Sequence, residues 1–242
     1  KVSDNANIAT LGDPVSLPFE IPLTAGWNIM GYPLISEQDA MSVFQSLIDN
    51  GELIKVLNES GQTIENVFPI GWVDGIGILE PGEGYYLKVN QSTQLIFDES
   101  DRGESYSGRY TQSDRSESSD PQHFEIVYTG NGYNPYTIYG LSGTIDGEAL
   151  VVDDEVGVFD GVHCVGAYVV PEGGFINNSG AQIVTSMDDV SDGINGFING
   201  NEIKVRIWRD SIEIDVDATI VAFTDESGDV IDPVFKDLSA PT

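Results

Sequence analysis

The chain has 242 residues and a formal charge of −30, from 40 acidic against 10 basic side chains. Such a surface repels phosphate backbones and anionic lipid, which argues against nucleic acid as a partner, and no apolar run reaches the ~18–20 residues of a membrane-spanning helix. With 27 Gly, 11 Pro and 40% hydrophobic residues, the composition suits a turn-rich β protein rather than a helical bundle, long enough for one large core or two modest ones.

Residues 1–20 hold Pro14 and Pro18, as expected of an arm or an edge strand. Ile8, Leu11, Val15, Leu17 and Phe19 alternate loosely, a pattern able to add to the sheet edge of a neighbouring subunit or to cover an edge of its own domain. A small α+β domain is expected over residues 21–98, opening on a strand through Gly26-Trp27-Asn28. One helix follows, with Met41, Phe44, Leu47 and Ile48 on a single face. Ser36 with Asp39 reads as a capping-box-like pair at its start, and Gly51 stands where the C′ residue belongs. Further strands are expected at residues 53–57, 84–89 and 94–97. Trp27 and Trp72, each beside a glycine, are expected in the core.

Residues 99–121 contain almost no aliphatic side chain and many Ser, Asp, Glu and Arg, the composition of a polar linker. Residues 122–236 then read as an Ig-like or jelly-roll-type β-sandwich. Its strand candidates are Phe124–Tyr128, Tyr136–Leu141, Glu155–Phe159, Cys164–Val170, Gln182–Ser186, Glu202–Trp208 and Thr219–Phe223, with a short tail at 237–242. The centre of this domain is Val151–Val170. There an acidic turn leads into a nearly all-apolar strand, the chain reverses at Asp160-Gly161, and a second strand begins at Cys164. A strand so poor in polar side chains is expected to be covered on both faces. The fold class is therefore mainly β: a small α+β domain with one helix, followed by a sandwich.

The carboxylate-rich turns are the strongest candidate sites. Asp153, Asp154, Glu155 and Asp160 flank one strand, and Asp188, Asp189 and Asp192 share one turn. Calcium takes six to eight oxygens, which carboxylates and turn carbonyls supply, although neither stretch has EF-hand spacing and Asp is also an ordinary turn residue. Tyr133 and Tyr139 are candidates for an exposed polysaccharide contact. Asp215 and Asp217 alternate along the chain and are expected to face solvent. Cys164 sits among small apolar residues, as a buried hydrophobe would, and strand alternation turns His163 to the other face. No Gly-x-Ser-x-Gly, His-Glu-x-x-His or Walker pattern occurs, so no catalytic residue is assigned.

The segment LTAGWNIMGYPL with the later GWVDGIGILEPGEGYYLKV resembles a module of large secreted and surface-anchored bacterial proteins. HFEIVYTGNGYNPYTIYG, DDEVGVFDGVHCVGAYVV and DGINGFINGNEIKVRIW resemble a sandwich module appended to the same kind of polypeptide. Asp153 stands where that pattern has Gly. The resemblance implies an extracellular, modular and non-catalytic protein; the function expected is that of a structural or adhesive subunit or segment of a bacterial cell-surface assembly or filament, self-associating through its N-terminal arm or meeting other surface proteins. A calcium-dependent carbohydrate-binding module of a larger secreted protein is the alternative.

Overall fold

The computed structural model describes residues 13–98, 121–130, 132–172, 181–190, 193–209, 214–225 and 228–236. The N-terminal half runs β1 (Phe19–Leu23), β2 (Gly26–Gly31), β3 (Gln38–Asp39), α1 (Ala40–Asp49), β4 (Leu53–Leu57), β5 (Thr63–Val67), β6 (Gly71–Asp74), β7 (Ile78–Leu79), β8 (Gly84–Val89) and β9 (Thr93–Phe97). The C-terminal half runs β10 (Tyr136–Gly140), β11 (Thr144–Ile145), β12 (Glu148–Ala149), β13 (Glu155–Asp160), β14 (His163–Val169), β15 (Ala181–Thr185), β16 (Ile203–Arg209) and β17 (Ile214–Ala218). The protein is mainly β, and α1 is the single α-helix among the described residues.

In the N-terminal half an antiparallel five-stranded sheet, β2-β8-β4-β5-β6, turns its inner face towards α1 and the β1–β9 pair. Met30, Val56, Ile64, Tyr85, Leu87 and Val89 of the sheet are buried in one cluster with Phe44 and Leu47 of the helix and Leu95 and Phe97 of β9. The helix starts one turn later than Ser36. Asp39 is its N-cap, with extended backbone and Oδ1 accepting from the Ser42 N–H at 2.7 Å. The reason is tertiary: Gln38 and Asp39 pair with Leu79 and Ile78, so the chain stays extended up to the cap. The C-terminus closes as anticipated. Gly51, at φ 67°, donates to the Ile48 carbonyl, and Glu52 donates to Leu47, which is the Schellman arrangement.

The expected arm divides. Residues 1–12, with Ile8 and Leu11, lie outside the described residues. Val15, Leu17 and Phe19 pack on the N-terminal core, and β1 pairs antiparallel with β9 of the same half. The linker expected at 99–121, apart from Pro121, and the tail at 237–242 also fall outside.

In the C-terminal half, β14-β13-β16-β17 form one antiparallel sheet, and the β10–β15 ribbon lies against it. Val156, Val158, Val165, Ile203 and Ile207 of the sheet share a core with Ile183, Phe197 and Phe235. The opposite face is covered as well: Phe124 packs on Phe159 and Cys164 in a second, smaller cluster. Consequently the first five residues of β13 are all buried, as its composition foretold. Two glycines permit this closeness. A Cβ on Gly157 would come within 3 Å of the Phe159 and Phe124 rings, and one on Gly166 would stand 2.5 Å from the Val184 carbonyl of β15.

Two expected strands are corrected. Phe124–Tyr128 is not a strand, because the Glu155 carboxylate accepts the backbone N–H groups of Gln122, His123 and Phe124 at 2.7–3.0 Å. Three consecutive donors converging on one carboxylate cannot also form a ladder. The last strand is Ile214–Ala218 rather than 219–223, and its register sets Asp215 and Asp217 opposite Trp208 and Arg206 of β16.

Candidate functional site

Strand alternation decides what the five-stranded sheet presents on its outer face. In β2, Asn28 and Met30 point inward. Asn28 is held there by its amide, which donates to the Thr24 and Gly26 carbonyls at 2.9 and 3.1 Å while its Oδ1 accepts from the Thr24 N–H. Trp27 and Ile29 must then point outward, and they are 46% and 77% exposed. This overturns the expectation that Trp27 is a core residue; Trp72 does pack against the N-terminal core. Across the ladder Trp27 is opposite Lys88 and Ile29 opposite Tyr86, with Tyr86 also open to solvent. The Trp27 and Tyr86 rings meet edge to face, centroids 6.4 Å apart at 87°, and Lys88 Nζ lies 5.6 Å from the Trp27 ring centre.

The far side of the same face is closed by the C-terminal half. Thr63 and Val73 are completely buried, although neither belongs to the N-terminal core cluster. Tyr139 of β10 donates to Glu65 Oε1 at 2.6 Å and is hydrogen-bonded to the Thr63 hydroxyl. Gln182 of β15 donates to Thr63 Oγ1 at 3.0 Å and to the Tyr139 oxygen at 3.1 Å. Lys55 pairs with Glu65 at 3.0 Å behind them. Burial beside the Glu65 carboxylate raises the Tyr139 phenol well above its ordinary pKa. The fit is close: a Cβ on Gly61 would meet Val184 and Pro135 at 2.6 and 2.8 Å. Tyr139 is therefore a joint residue whose ring is not free to meet a ligand, whereas Tyr133 is 57% exposed.

The carboxylates of the candidate calcium turns separate into different tasks. Asp154 is buried and clamped by Arg209, whose Nε and Nη2 donate to its oxygens at 2.9 and 2.6 Å. Glu155 caps the 122–124 backbone as described. Asp160 accepts from the Ile198 N–H at 2.8 Å and from the Asn201 amide. Asp188 accepts from the Val190 N–H, and Asp189 from the Asn195 amide. Asp153 is exposed with φ 69°, a conformation that Gly adopts without cost. Asp192 lies outside the described residues. No group of three acidic, His or Cys side chains converges as metal ligands would among the described residues.

The histidines and the cysteine are equally occupied. His123 stacks on Trp208, centroids 3.9 Å apart, with Nε2 3.0 Å from Asp215. Arg206 pairs with Asp215 and lies over the Phe124 and Phe159 rings. Asp215 is thus engaged, while Asp217 faces solvent as expected. Cys164 is buried under Phe124 and Phe159, and burial pushes its thiol up to about 11. A groove of about 710 Å³ runs beside Lys204, Arg206, Asp217, Ile220 and Pro233.

What sequence reasoning missed is the open face of Trp27, Ile29 and Tyr86. The signal was present in the alternation of GWNIMG against GYYLKV, had Asn28 been read as the inward residue. Compared with protein-family models, with curated proteins and with solved structures, the chain matches none of them.

Proposed function

We propose that this protein is a non-catalytic, extracellular structural or adhesive subunit of a bacterial cell-surface assembly that associates with copies of itself. The observation that carries this reading is the open face: Ile29, Tyr86 and Trp27 stand together in solvent on the edge strand β2 and its neighbour β8, while Thr63 and Val73 at the other end of the same face are buried. Contiguous exposed apolar surface of this kind marks an interaction site, and Trp and Tyr are enriched among residues that dominate protein interfaces. The joint through Tyr139, Thr63, Glu65 and Gln182 supports the reading further, since it couples the two halves into a subunit able to transmit load.

Exposed rings are also the means by which proteins hold sugars. Here the two rings stand edge to face rather than coplanar, and the most exposed of the three residues is the aliphatic Ile29. Both features favour a protein surface over a glycan chain as the occupant. The test is the solution mass of the full chain over a concentration series, with and without Ile29→Glu. Loss of one buried aliphatic and introduction of a charge should weaken association by about 2 kcal/mol or more, some thirtyfold. A wild-type chain that stays monomeric throughout, or association indifferent to Ile29→Glu, refutes the proposal.

A further inference from the structure

Charge decides what the open face can meet. Residues 13–98 contain only two cations, Lys55 and Lys88, and the β4–β8 register sets them opposite each other on this face. Lys55 is neutralised by Glu65. Lys88 has no carboxylate partner among the described residues and lies against Trp27. The outward positions of β2, β8 and β4 carry Trp27, Ile29, Tyr86, Lys88, Lys55 and Leu57 and no carboxylate. In a chain with a net charge of −30, this is an apolar patch with a cation of its own, on a molecule whose remaining surface is dominated by acids.

Two copies can use such a patch in two ways. A two-fold pairing buries the same patch of both copies against each other, so both Lys88 side chains enter one desolvated interface that offers no carboxylate, where like charges are costly. A head-to-tail contact places Lys88 against the carboxylates of the neighbour. That second arrangement does not close on itself and propagates into an open polymer. We propose that the Trp27–Ile29–Tyr86 face, with Lys88 at its centre, docks on an acidic surface of a second copy of this chain in a head-to-tail contact that repeats. This rests on the self-association proposed above and specifies its geometry and its electrostatics.

The experiment is sedimentation of the full chain at ~0.15 M salt, where screening reaches only about 8 Å, comparing wild type with Lys88→Glu, Lys88→Gln and Ile29→Glu. These side chains stand on the solvent face, and unchanged circular dichroism confirms each fold. The expected result is growth beyond dimers for wild type, association weakened about tenfold or more by Lys88→Glu, and a smaller loss for Lys88→Gln. Association that stops at a dimer, or that is unchanged or strengthened by Lys88→Glu while Ile29→Glu still abolishes it, overturns the head-to-tail geometry and leaves self-association standing. A wild-type chain that never associates, or association that ignores all three substitutions, removes both.

Discussion

Replacing Arg209 by Ala removes the only cation that faces the buried Asp154 among the described residues. Asp154 is 1% exposed and Arg209 7%. The guanidinium makes hydrogen bonds of 2.9, 3.1 and 2.6 Å to the two carboxylate oxygens and one of 3.1 Å to the Ala149 carbonyl. After the substitution the Val151 N–H, 2.9 Å from Oδ2, still donates to the carboxylate. Breaking one partner of a buried pair costs about 3–5 kcal/mol, because the remaining charge is left in a medium that cannot solvate it. That is a large share of the ~5–15 kcal/mol by which a domain is stable, and corresponds to a melting temperature lower by roughly 6–20 °C. The assay is urea and thermal denaturation of Arg209→Ala beside the double variant Asp154→Asn/Arg209→Met. Asn keeps an oxygen for the Val151 N–H and removes the charge, so the double variant should recover a good part of the loss. A loss below about 1 kcal/mol in Arg209→Ala, or a double variant no more stable than the single, refutes the reasoning.

Three further predictions follow from the local geometry. Asp39→Ala should cost about 0.5–2 kcal/mol by removing the acceptor of the Ser42 N–H, whereas Ser36→Ala should stay within about 0.5 kcal/mol; chemical denaturation of both variants separates the observed cap from the expected one, and the reverse order contradicts it. Asp153→Gly should raise stability by about 0.5–1 kcal/mol by relieving a side chain held at positive φ, and a loss on denaturation would mean that the Asp153 side chain makes a stabilising contact. For Cys164, burial raises the thiol from 9.0 to about 11 in the folded chain. The folded state therefore holds its proton longer, and the stabilisation is complete below pH 9 and lost as pH rises through 11. The stability difference between wild type and Cys164→Ala should fall by about 2 kcal/mol between pH 8 and pH 11, and a flat difference contradicts a buried thiol.

The elements legible in the sequence are those whose pattern and tertiary role agree. β4 and β8 fall on the expected residues, since their apolar positions face one core. α1 carries its stripe and its Gly51 as read. β13 announces its burial by composition, and its hairpin turns at Asp160-Gly161. Illegible elements are those set by a distant partner. β5 (TIENV) holds Thr and Glu because its outward face meets Tyr139 and Gln182, and polar residues buried at a joint look like a loop from sequence. β17 (IDVDA) hides behind two aspartates that follow Arg206. Phe124–Tyr128 has strand composition, yet Glu155, some thirty residues away, takes the N–H of Phe124 and of the two residues before it.

The same reasoning explains the site. Clustered acids suggested metal ligands, but Asp154 is matched to Arg209 and Glu155 to a backbone turn, partners that sequence proximity does not reveal. Trp27 beside Gly26 suggested a core residue, and the alternation of β2 about buried Met30 shows that the ring faces out.

Copies of this chain are proposed to meet at the open face of the N-terminal sheet. Hydroxyl-radical footprinting read by mass spectrometry measures it directly, because Trp27 and Tyr86 are both reactive and exposed. As concentration drives the chain from monomer to assembly, oxidation of Trp27 and Tyr86 should fall severalfold in step with the rise in mass. A mass that rises while both rings stay as reactive as in the monomer would place the contact elsewhere and contradict the account.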